Sequence, residues 1–77
     1  MKIKLYDAVR ARGAVQWLMA NVGPVTGVQG SSIRSEGWNL WTQAPVENGE
    51  SYDPTYTIEL NEHVDEDTKL LFALSWA

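Results

Sequence analysis

Cysteine is absent from this 77-residue chain, so neither a disulfide framework nor a thiolate zinc site is available to staple it. There is one histidine, His63, and a single imidazole gives zinc none of its usual ligand sets. Cations are missing between Arg34 and Lys69, while Glu36, Glu47, Glu50, Asp53, Glu59, Glu62, Asp65, Glu66 and Asp67 all fall in that interval. The chain is therefore split electrically along its length. Residues 1–34 carry Lys2, Lys4, Arg10, Arg12 and Arg34 against Asp7 alone, and residues 35–77 carry Lys69 against the nine acids.

No hydrophobic run approaches the roughly 18 residues of a membrane-spanning helix. The basic start Met1-Lys2-Ile3-Lys4 does not lead into a signal-peptide core, because Asp7, Arg10 and Arg12 interrupt it. These absences predict a cytoplasmic protein without a membrane partner, located in the host cytoplasm if it is phage-encoded. The net charge of −4 opposes binding of the whole chain to anionic lipid or nucleic acid.

What is present is bulk: 44% hydrophobic residues, with four Trp, three Tyr and one Phe, enough for one core in a single domain spanning 1–77. A domain of this size buries only about 60% of the surface its unfolded chain exposes, so each large apolar side chain counts.

Periodicity predicts a helix over 5–21, with Ala8, Ala11, Val15, Leu18, Met19 and Val22 on one face. Tyr6, Val9, Gly13, Trp17 and Ala20 lie on the opposite side. A sheet covers only one face, so the second group is the predicted interface of a homodimer or larger homo-oligomer. Gly13 costs about 1 kcal/mol in a helix relative to alanine, a cost that fits a close backbone approach there.

Residues 24–37 suggest one short strand and a loop, 38–43 a strand with Trp38 and Trp41 on opposite faces, and 44–54 a polar connection with turns at Pro45, Asn48-Gly49 and Asp53-Pro54. The clearest alternation is 55–61, with Tyr56, Ile58 and Leu60 on one face. Residues 69–76 fit either a strand, placing Leu70, Phe72, Leu74 and Trp76 together, or a helix started by Asp65 or Asp67 whose apolar residues would surround its axis. The period of two favours the strand. The expected fold is α+β: one N-terminal amphipathic helix packed on a three- or four-stranded antiparallel sheet, its core built from Tyr56, Ile58, Leu60, Phe72 and Leu74 with Val15 and Leu18.

No constellation supports catalysis. His63 is the sole base available to Ser31, Ser32, Ser35, Ser51 and Ser75, and no spacing connects it to any of them. His63 with Asp65 and Asp67 lacks the glycine and distal glutamate of a calcium loop. Gly27 and Gly30 lack the Gly-Lys-Ser/Thr ending of a phosphate loop. Neither an enzyme nor a cofactor is expected.

The leading expectation is a small acidic protein-binding domain that acts on a basic site of a larger partner, imitating a nucleic-acid backbone in the manner of phage or mobile-element inhibitor and accessory proteins. Trp38, Trp41, Glu62, Asp65, Glu66 and Asp67 are its predicted partner-binding residues, tryptophan being enriched at binding hot spots. The alternative is a self-associating structural subunit. Direct nucleic-acid binding through the five N-terminal cations is opposed by the acids that follow them.

Overall fold

The computed structural model describes residues 1–43 and 55–76. Lys2-Ile3-Lys4-Leu5 alternates charged and apolar residues, and this period of two makes it a strand, β1 (Lys2–Leu5), with Ile3 and Leu5 buried and both lysines exposed. Asp7 then opens α1 (Ala8–Asn21) as its cap, its carboxylate accepting the Val9 N–H at 2.8 Å. Leu5 and Tyr6 therefore precede the helix, contrary to the expected start at residue 5. There follow β2 (Val25–Gln29), β3 (Ser32–Ser35), β4 (Trp38–Gln43), β5 (Thr55–Leu60) and α2 (Glu66–Trp76).

The five strands form one antiparallel sheet in the order β1-β5-β4-β3-β2. Two strands escape the sequence-based expectation of three or four. One is β1; the other arises because 24–37 holds a hairpin, with Ile33 paired to Val28 on one side and Leu40 on the other. Gly37, at φ 87°, makes the turn from β3 into β4. The turns expected at Pro45, Asn48-Gly49 and Asp53-Pro54 lie outside the described residues, as do Glu47, Glu50 and Asp53.

Residues 66–76 are a helix, not the favoured strand. A strand there would have needed an edge of β5, and both edges are taken: Ile58 is paired with Ile3 of β1 and with Leu40 of β4. Glu66 and Asp67 stand in the first turn of α2, where they complement the helix dipole.

Both helices pack on one face of the sheet, where Ile3, Leu40, Ile58, Leu60 and Trp38 meet Ala11, Ala14, Leu18 and Phe72. Of the expected core, Ile58, Leu60, Leu18 and Phe72 are buried and Tyr56 and Val15 half-buried. Leu74 is exposed, a consequence of the helical rather than extended backbone. The buried side of α1 is also displaced from the expected face, since it centres on Ala11, Ala14 and Leu18 while Met19 is exposed. The reason is that α1 sits in a corner, bounded by the sheet on one side and α2 on the other.

That corner explains Gly13. A Cβ built there would lie 2.6 Å from the Trp76 ring, so the close approach is made by α2 of the same chain. Gly13→Leu is expected to push Trp76 and the end of α2 outward, costing about 1–3 kcal/mol in denaturant unfolding, with the mass in solution unchanged. A variant that kept its stability but lost a dimer by sedimentation would return Gly13 to an intermolecular contact.

Candidate partner-binding surfaces

α2 turns Phe72 into the core, with Thr68, Lys69, Ala73 and Trp76 half-buried beside it. Three leucines are left on its outer side: Leu70, Leu71 and Leu74 are 59%, 56% and 75% exposed. A helix of eleven residues with one buried side chain and three solvent-facing leucines is apolar beyond what its own fold requires. Glu62, Asp65, Glu66 and Asp67 are all exposed, in the connection after β5 and in the first turn of α2. The one cation among them, Lys69, is bent back: its Nζ donates to the Glu62 carbonyl and to Glu66 Oε1, each at 3.4 Å. The outer side of α2 thus presents leucines beside carboxylates.

At the other end of α2, Arg10 donates to the Trp76 carbonyl at 2.9 Å and its guanidinium carbon lies 5.9 Å from the Trp76 ring centroid. A cation at a helix C-terminus is favourable, and this one ties α2 antiparallel along α1. Trp17, of the second apolar group of α1, packs against Phe72 with ring centroids 5.6 Å apart. Gly13 and Trp17 are therefore used within the chain, while Tyr6, Val9 and Ala20 remain exposed.

The two candidate tryptophans of β4 separate. Trp38 is 1% exposed, paired opposite Leu60, with its Nε1 donating to the Gly23 carbonyl at 2.9 Å. It is a core residue, so its expected place on a partner-binding surface is corrected. Trp41 points to the face of the sheet opposite α1 and α2, in register with Thr57 of β5 and Ser32 of β3. Lys2 and Lys4 of β1, Glu59 of β5, Asn39 of β4 and Arg34 of β3 share that face by the same alternation. Lys2 Nζ lies 5.7 Å from the Trp41 ring centroid and 3.9 Å from Glu59 Oε2. A cavity of about 350 Å³ opens beside Trp41, lined by Ser32, Arg34 and Asn39.

His63 occupies the turn between β5 and α2, its N–H donating to Asn61 Oδ1 at 3.0 Å. It lines a cavity of about 420 Å³ with Glu36 and Asp65, but no three His, Asp or Glu residues converge at metal-binding distance among the described residues.

Three features carry no clear sequence signal. The leucines of α2 are apolar all round its axis, a pattern that becomes visible as a surface only once Phe72 is known to be the residue turned inward. The gathering of Lys2, Lys4 and Arg34 around Trp41 depends on strand order, because β1 and β3 flank the β5–β4 pair from opposite sides. The burial of Trp38 follows from the choice of which β4 face meets the helices. Compared with known proteins, the chain matches no family model, no curated protein and no solved structure.

Proposed function

We propose that this chain is a non-enzymatic protein-binding domain that docks through the outer side of α2 onto a larger partner with an apolar cleft rimmed by lysine and arginine. The observation that supports this most is the exposed set Leu70, Leu71 and Leu74. Leu70 and Leu74 stand one helical turn apart, the spacing by which an amphipathic helix seats two anchors in a groove. Asp65, Glu66 and Asp67 at the start of the same helix favour a basic rim and would speed encounter with it. Glu62 adds to that charge from the preceding turn.

Self-association through α1 receives less support, because Gly13 and Trp17, two of the five residues expected at that interface, are covered by α2. The acidic, accessory or inhibitory role expected of such a domain rests on its charge.

The test begins with capture of partners by the immobilised domain from its native cell and continues with the purified partner. Leu70→Ser with Leu74→Ser should lower affinity at least tenfold, since each anchor contributes about 1.5–3 kcal/mol if fully buried. Reversing Asp65, Glu66 and Asp67 to lysine should slow association and flatten its salt dependence. The leucine variant should melt like the parent, as both positions are exposed. The triple lysine variant should melt lower, because it sets cations at the N-terminus of α2, at about 0.3–1 kcal/mol each, and removes the Glu66–Lys69 pair. A partner held equally well by parent and leucine variant would remove α2 as the docking element, and a parent dimer abolished by the leucine changes would assign the surface to a second copy of the chain.

A further inference from the structure

In the linear sequence, the nine acids after Arg34 oppose the phosphates that the N-terminal cations would attract. The fold separates much of this charge. Asp65, Glu66 and Asp67 belong to the helical layer, while Lys2, Lys4 and Arg34 are gathered on the face of the sheet opposite α1 and α2. We infer that this face binds single-stranded nucleic acid, with a base stacking at Trp41 and the backbone passing Lys2, Lys4 and Arg34.

The row through the site runs Lys4–Thr57–Trp41–Ser32 across four adjacent strands. With neighbouring strands about 4.8 Å apart, the cations of β1 and of β3 lie roughly 14 Å from each other on either side of the indole. That arrangement sets positive charge along a path and a flat aromatic surface within it, the two elements that sequence-tolerant single-strand binding requires. The adjoining cavity supplies polar groups for a base edge: the Ser32 hydroxyl, the Asn39 amide and the Arg34 guanidinium.

Among the described residues the strands place one acid on this face, Glu59 of β5, which lies in the row Lys2–Glu59–Asn39–Arg34 beside the Trp41 row. Its carboxylate is paired with Lys2, and Glu62 stands beyond the end of β5 near Asn61. The Trp41 row itself carries no acid. A duplex keeps its bases stacked inside, out of reach of Trp41, so unpaired bases fit best. An acidic peptide would satisfy the cations but leave the indole and the polar cavity unused. This site does not involve the leucines of α2 and stands or falls independently of the function proposed for them.

Fluorescence anisotropy with labelled oligo(dT) and oligo(rU) of about 12 nucleotides tests the inference directly. Binding is expected with dissociation constants of about 10⁻⁴–10⁻⁶ M at moderate salt. Lys4→Glu with Arg34→Glu, both at exposed positions, should weaken it more than tenfold. Neutralising the same two side chains by Lys4→Gln and Arg34→Gln should reduce the slope of log affinity against log salt by about 0.7 for each phosphate left without its cation. Trp41→Ala should cost about five- to a hundredfold while Trp41→Phe retains most of the affinity, which separates stacking from a change in folding. Leu70→Ser with Leu74→Ser should leave oligonucleotide binding unchanged. No anisotropy change with either oligonucleotide at protein concentrations well above about 0.1 mM would overturn the inference, as would equal binding of poly-glutamate with no difference between Trp41→Phe and Trp41→Ala.

Discussion

Phe72→Ala should leave the domain close to unfolded at physiological temperature. Phe72 has no exposed surface, is the only fully buried side chain of α2 and packs against Trp17. Truncating a buried phenylalanine costs about 3–5 kcal/mol, against a total stability of about 5–15 kcal/mol for domains in general and toward the low end for one this small. The loss is concentrated because α2 has little else inside: Ala73, Thr68 and Trp76 are only half-buried, and the leucines face water. Urea unfolding followed by tryptophan fluorescence should show a large fall in the midpoint, with Trp17 becoming more solvent-exposed. Phe72→Leu, which keeps most of the volume, should cost far less, within about 1.5 kcal/mol. A Phe72→Ala protein with the parent's midpoint would mean that α2 does not rest on Trp17 and the sheet.

The parts of the fold legible in the sequence are those where one periodicity has no rival. Thr55–Leu60 alternates cleanly and is β5; Trp38–Gln43 is β4; the long apolar repeat is α1. Failure comes where the choice between periods depends on partners elsewhere in the chain. Lys2–Leu5 alternates over only four residues and merges with the helical pattern beside it, although Asp7 carries the cap that separates them. Residues 69–76 alternate as well as any strand, yet the pairing edges of β5 are already filled by β1 and β4. Tertiary competition decides that segment, and periodicity within eight residues cannot register it.

The candidate surfaces divide in the same way. The acidity of Glu62, Asp65, Glu66 and Asp67 is a sequence property, and their exposure follows from charge. The need for a second cover on α1 is likewise visible in Gly13 and Trp17, and α2 of the same chain packs against both. The basic and aromatic sheet face requires strand order and register together: Lys4 and Trp41 are 37 positions apart and meet only because β5 lies between their strands. A one-residue slip of β4 against β5 would have sent Trp41 into the core and Trp38 and Leu40 into water, and a slip of β1 would have turned Lys4 inward and Ile3 and Leu5 outward.

Trp38→Ala should be about as damaging as Phe72→Ala, for two combined reasons. The indole is 1% exposed and fills the end of the core opposite Leu60, so its removal carries the roughly 3–5 kcal/mol of a large-to-small change. Its Nε1–H also holds the Gly23 carbonyl at 2.9 Å, where α1 hands over to β2. Trp38→Phe keeps an aromatic side chain but loses the donor and part of the indole volume; leaving the carbonyl unpaired should cost about 1–3 kcal/mol if it stays shielded from water, with a smaller cavity term added. Binding separates this structural role from a surface one. Folded Trp38→Phe protein should bind its partner through α2, and oligonucleotides through Trp41, with the parent's affinities, while its thermal midpoint falls. The reverse result, unchanged melting with lost binding, would place Trp38 on a surface and invert the faces of β4.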